Sequence, residues 1–109
     1  MIIVDSELKR RAAEDNPIRL AIVGAGFSGS NLARQIINSV PGIKLVSICN
    51  RTLSKAESAY TKAGLDDAKR VDTGNQLDDA IRQGFHSVTS DPEVIYTSEL
   101  VDAIIETTG

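Results

Sequence analysis

One cysteine, one histidine and no tryptophan in 109 residues remove several chemistries at once. A lone thiol closes no disulfide and offers no metal-ligand spacing, so no metal site is expected and the setting is a reducing, cytoplasmic one. Aromatic residues make up only 4% of the chain, too few for a base-stacking platform. Positive charge is not in excess. The formal net charge is −3 and the pI about 5.0, and no basic stripe interrupts the pattern, which argues against nucleic acid as a partner. No apolar run approaches the length of a bilayer, and the opening MIIVDSELKRRAAEDNP lacks the apolar core of a signal peptide. A membrane is not expected either.

What the chain does have is an apolar run that breaks at once into glycine. Residues 18–29 read IRLAIVGAGFSG, a buried-strand signal followed by Gly24-x-Gly26-x-x-Gly29. Each glycine has a separate task. Gly24 permits the tight turn out of the strand, Gly26 lets the backbone approach a pyrophosphate, and Gly29 lets the next helix pack closely on the sheet. That helix is expected to start near Phe27, with its free N–H groups and positive dipole end facing the phosphates. Three glycines alone are a weak signal, but the flanks agree with them. Leu32, Ala33, Ile36 and Ile37 recur at helical spacing before Pro41-Gly42, and Ile43 to Cys49 forms a second apolar strand. Together these make one βαβ unit of about thirty residues.

The end of the second strand decides which cofactor fits. A dinucleotide without a 2′-phosphate usually meets an acid about 20 residues past the glycines. This chain has Cys49-Asn50-Arg51-Thr52 there, with no acid before Glu57. Asn50 can hydrogen-bond a ribose without repelling a phosphate, and Arg51 offers a planar cationic fork. NADP (NADPH) is therefore expected over NAD. Thr52, Ser54 and Lys55 are auxiliary donors, Ser54 as the N-cap of the next helix. Arg51 and Lys55 could equally be ordinary solvated charges. Cys49 reads as a small residue near the core.

The remaining elements complete an α/β order. A short helical leader over residues 4–15 precedes Pro17, so the expected division is a leader at 1–17 and a dinucleotide-binding domain at 18–109. Helices are expected over 54–62 and 75–83, with Gly64 and Gly84 as their stops, and residues 66–73 carry no clear signal. A short strand over 85–89, a helical turn begun by Asp91-Pro92, and a strand at Ala103–Ile105 follow. The expected fold is a Rossmann-type parallel sheet with helices on both faces, truncated after the fourth strand. Because the chain stops on the glycine of a βα turn, the substrate-binding part is expected to lie outside it. The lone His86 reads as an edge or solvated residue, and Asp66, Asp67, Asp72, Asp78 and Asp79 as a solvated helix rim.

Residues 19–29, then Leu45-Val-Ser-Ile-Cys-Asn-Arg-Thr, then Val101-Asp-Ala-Ile-Ile-Glu-Thr-Thr-Gly109 resemble the homoserine-dehydrogenase-like oxidoreductases. The opening Met1-Ile-Ile-Val-Asp, with residues 11–19, looks most like the branch of SAF-domain proteins and deoxyxylulose phosphate reductoisomerase-like (DXR-like) enzymes. The resemblance implies that Gly24, Ala25, Gly26, Phe27, Ser28 and Gly29 line the pyrophosphate. Asn50, Arg51 and Thr52 would read the adenosine side, and Thr107, Thr108 and Gly109 would lie by the nicotinamide-side ribose. Glu106 reads as a structural carboxylate at the same strand end. The catalytic residues are unknown, since full-length relatives keep theirs in a later domain. The expectation is the NADP(H)-binding portion of an oxidoreductase that moves a hydride to or from a small metabolite. The alternative is a non-catalytic nucleotide-sensing domain. A homo-oligomer is left open.

Overall fold

The computed structural model describes residues 2–107, with the backbone only for residues 2–6, 27, 28 and 39. Its elements run α1 (Ile2–Ala13), β1 (Ile18–Val23), α2 (Phe27–Ser39), β2 (Ile43–Cys49), α3 (Leu53–Lys62), β3 (Lys69–Arg70), α4 (Gly74–Gln83), β4 (Ser87–Thr89), α5 (Pro92–Tyr96) and β5 (Ala103–Glu106). The strands form one parallel sheet in the order β3-β4-β2-β1-β5. This is a Rossmann-type α/β arrangement with five strands rather than the four expected. The added strand, Lys69–Arg70, is short and exposed on the edge, so no apolar period marked it. It is held by backbone bonds, Lys69 N to His86 O at 2.9 Å and Val71 N to Val88 O at 2.9 Å. Lys69 Nζ also lies 3.8 Å from the centre of the Phe85 ring.

Both faces of the central strands are buried, which is why β1 reads as apolar from Leu20 to Val23, beyond the half-buried Ile18 and Arg19. Leu20 and Ile22 pack with Ala33, Ile36, Ala56, Ala59 and Tyr60 under α2 and α3. The alternate residues Ala21 and Val23 face Leu77, Ala80, Val94 and Ile95 under α4 and α5. Along β2 the alternation fails. Leu45 and Ile48, three apart, share the first face, because the β1–β2 register slips between Leu20–Leu45 and Ala21–Ser47. Val46 is the extra residue of that bulge, and a bulge moves every later side chain to the other face.

Two carboxylates place β5 beside β1. Asp78, expected on a solvated rim, is instead buried in α4. Its oxygens accept from the Ser98 hydroxyl, from Glu99 N at 3.2 Å and from Leu100 N at 3.3 Å, so it folds the loop that leads into β5. Asp102 then accepts from Arg19 N at 2.9 Å and Arg19 Nε at 3.1 Å. His86 is half-buried rather than solvated, its Nδ1 lying 2.8 Å from Leu45 O and its ring tilted on Tyr60 at 5.4 Å.

The hydrogen bond from the Arg19 guanidinium holds the Asp102 carboxyl below its usual range. A carboxyl whose folded pKa is lowered adds stability above its unfolded value, about 3.9, and loses it as pH falls through the folded value. The pair is half-exposed, so Asp102→Asn should cost no more than about 1 kcal/mol at pH 7. In urea titrations the gap between variant and wild type should narrow below about pH 4.

Candidate functional site

The chain leaves β1 toward β2 on one side and returns to β5 on the other. A sheet whose order reverses in this way opens a crevice at the carboxyl ends of its strands. Here a cleft of about 530 Å³ occupies that place, lined by Val23–Gly26, Cys49–Thr52, Lys55, Ser90, Pro92 and Thr107. None of these side chains is acidic, and two are cationic.

The glycine turn is built by backbone constraints of unequal kind. Gly24 has φ 109°, a left-handed conformation that side chains resist, and its N–H donates to Cys49 O at 2.7 Å. A Cβ at Gly29 would run into the Gly24 carbonyl and sit 2.9 Å from Thr107 Oγ1. Gly26 differs from both. Its φ of −72° suits any residue, and a Cβ there would meet no described protein atom within 4 Å. The fold itself makes no demand for glycine at 26.

Gly26 is also the N-cap of α2, with no side-chain cap and no acid in the first turn. The first N–H groups of a helix lack intrahelical partners, and the aligned dipoles make that end positive. Phe27 and Ser28 form the first turn. Their side chains, and Thr108 and Gly109, fall outside the described residues.

Asn50 and Thr107 brace the turn rather than stand free. Asn50 Oδ1 accepts from Ala25 N at 3.0 Å, and its Nδ2 donates to Thr52 O at 2.9 Å. Thr107 Oγ1 donates to Gly24 O at 3.1 Å, and Thr107 N to Val23 O at 2.8 Å. Arg51 is exposed and makes no ion pair among the described residues. The N-cap of α3 is Thr52, not Ser54 as expected from the sequence, and its side chain makes no cap bond.

Other candidates fall away from the cleft's chemistry. Cys49 lines the wall, but burial and then Asp91 push its thiol up to about 11, so it stays protonated and unreactive. Glu106 accepts from the Tyr96 hydroxyl, tying α5 to β5, and this bond raises the Tyr96 phenol above its ordinary range. Ser90 and Pro92 line the far wall without having been singled out. Their signal was Asp91, whose carboxylate caps α5 by accepting from Glu93 N at 3.0 Å and so fixes the loop leaving β4.

Residues 18–105 match the family model described as "Oxidoreductase family, NAD-binding Rossmann fold" (GFO_IDH_MocA). Among solved structures, a myo-inositol 2-dehydrogenase from Lactobacillus plantarum shares the fold with a TM-score of 0.59 and 24% identity. The match covers 85% of this chain and 22% of that one, so this chain spans about a fifth of that protein. No curated protein matches the chain. The family match extends over most of the sequence, and the chain belongs to the Gfo/Idh/MocA oxidoreductase family. Among the described residues, no helix is long and apolar enough to cross a membrane.

The two glycines should separate in stability measurements. Gly29→Ala must displace backbone and should lower stability by about 1–3 kcal/mol. Gly26→Ala should stay within about 0.5 kcal/mol of wild type, both read from urea midpoints. An equal loss at the two positions would show that the fold needs glycine at 26 after all.

Proposed function

We propose, with that membership as premise, that the chain is the NADP(H)-binding part of an oxidoreductase that acts on a small metabolite by hydride transfer. The observation that carries this reading is Gly26. Gly24 is required by its φ and Gly29 by the Gly24 carbonyl, whereas Gly26 faces open space at an uncapped helix end. A pyrophosphate seated there would explain why no side chain stands in the way.

The residues present fit such a group. Ala25 and Gly26 would carry the pyrophosphate against the positive end of α2, with Ser28 and Gly29 following in the same turn. Asn50 would hold the turn in shape through Ala25 N, and Thr107 would hold it to β5. Arg51 and Thr52, with Ser90 and Pro92 opposite, would take the adenosine end. When bound, the nicotinamide supplies the hydride; the protein contributes binding, orientation and electrostatics. No carboxylate is among the residues lining the cleft, and Arg51 makes no ion pair among the described residues, so a 2′-phosphate meets attraction rather than repulsion.

The substrate is proposed only as a small metabolite with a hydroxyl or carbonyl at the reacting carbon, held by residues outside this chain. The resemblance to homoserine-dehydrogenase-like and DXR-like enzymes remains one source of candidate substrates, and the comparisons add nothing to it. A cytoplasmic location stays part of the same proposal.

Calorimetric titration with NADP and NAD tests the reading. NADP should bind about tenfold tighter, a difference of about 1.4 kcal/mol, and Arg51→Ala should remove that advantage while NAD binding persists. Gly26→Val should weaken both. Equal or tighter binding of NAD to the wild type would overturn the NADP assignment, and unchanged binding to Gly26→Val would overturn the site.

A further inference from the structure

The cleft is walled by a circuit of hydrogen bonds that runs from one strand end to the next. At the glycine turn, Ala25 N donates to Asn50 Oδ1 at 3.0 Å. Asn50 N donates to Thr89 O at 3.0 Å, and Asp91 N to Thr89 Oγ1 at 3.2 Å. Asp91 caps α5, whose Tyr96 hydroxyl donates to Glu106 at the end of β5. Thr107, the next residue, returns to the turn through Gly24 O at 3.1 Å. Ala25, Asn50, Pro92 and Thr107 all line the cleft, so the circuit runs around it.

The link between Tyr96 and Glu106 stands where the circuit has least other support. β1, β2 and β4 each have a strand on both sides, whereas β5 ends the sheet with β1 beside it. From Ile104 to Glu106 that strand is exposed. The helix it meets, α5, has five residues, too few to hold a helical shape unaided. Val94 and Ile95 bury its inner side, and Asp91 fixes its start. Among the described residues, the Tyr96 hydroxyl makes the one hydrogen bond between α5 and β5. Tyr96 is 46% exposed, and an exposed hydrogen bond replaces one to water at small net gain. Its worth therefore lies in position. Pro92 stands about one turn before Tyr96, and Thr107 directly follows Glu106.

We infer that Tyr96 and Glu106 are positioning residues, whose hydrogen bond fixes the distance between the Ser90–Pro92 wall and the Thr107 wall and so prepares the cleft for its dinucleotide. Neither residue lines the cleft; they act through Pro92 and Thr107. A cleft already held at its bound width loses less conformational freedom when it is filled. The inference rests on the cofactor reading, since the width matters to a ligand that spans both walls.

The test compares the full chain with Tyr96→Phe, which keeps the ring, with Glu106→Ala, and with Glu106→Gln, which keeps an acceptor. Urea midpoints, calorimetry with NADP and with NAD, and amide exchange of the ligand-free protein are read on each. Tyr96→Phe and Glu106→Ala should shift the midpoint by less than about 0.3 M. Both should lower NADP and NAD affinity alike, by about five- to tenfold, through lost preorganisation. Glu106→Gln should stay within about twofold of wild type, because its carbonyl still accepts the phenol proton. In ligand-free Tyr96→Phe the amides of Val94 and Thr107, bonded to Asp91 O and Val23 O, should exchange faster, and those in the middle of β1 should not. Affinity that holds in Tyr96→Phe, whatever its midpoint does, would overturn the inference and leave the cofactor reading intact. A loss in Glu106→Gln as large as in Glu106→Ala would also overturn it, since charge and not the bond would then be responsible. If the wild type binds neither dinucleotide, the cofactor reading falls. The wall-holding role then stands on faster exchange at Val94 and Thr107, and falls without it.

Discussion

The Gly24 carbonyl is where three elements of this fold meet. It receives the Thr107 hydroxyl from the end of β5 at 3.1 Å, and Gly29 in α2 comes so close that no side chain fits. The turn leaving β1 is thereby pinned to the strand on one side and to the helix above it. Asn50 adds the third support by accepting from Ala25 N at the end of β2. Everything that the cleft offers, an uncapped helix end, an open approach at Gly26 and an acid-free floor, depends on this turn keeping its shape. Asp78 and Asp102 serve the same end from a distance, since they deliver β5 to its place beside β1.

Charge is distributed with equal economy. Side-chain caps finish α4, by Thr73, and α5, by Asp91, although Pro92 at the start of α5 lines the cleft. The two helices that open beside Gly26 and Lys55, α2 and α3, have no side-chain cap and no acid in the first turn. Unsatisfied N–H groups at a helix end cost stability unless water or a ligand satisfies them. The bare ends of α2 and α3, with Arg51 and Lys55 nearby, make that side of the cleft electropositive. Membership in an oxidoreductase family with an NAD-binding Rossmann fold agrees with that arrangement.

The sequence was legible wherever local chemistry and periodicity coincided. The bounds 18–23 for β1, 27–39 for α2 and 43–49 for β2 could be read directly, because each strand is buried on both faces and the helix between is amphipathic. The jobs of Gly24 and Gly29 were also visible. What escaped depends on partners distant in sequence. Lys69–Arg70 forms a strand only because β4 offers it backbone bonds. Asp78 looked like one solvated acid among several, and its burial follows from the loop it folds. The bulge at Val46 leaves no mark in composition. Asn50 was expected to read a ribose; that its carboxamide is spent on Ala25 N and Thr52 O follows only from the approach of the two turns. Ser54 lost the cap position to Thr52 because the helix begins at Leu53.

The most direct test of the central claim is a map of backbone amide shifts in the presence of NADP. The arrangement predicts changes at Gly24 to Gly29, at Asn50 to Lys55, at Ser90 and Asp91 and at Thr107. It predicts none at the opposite end of the sheet, around Asn16, Arg19, Lys44 and Arg82, where a separate hollow of about 270 Å³ lies. Shifts confined to that opposite end, or none at saturating cofactor, would contradict it.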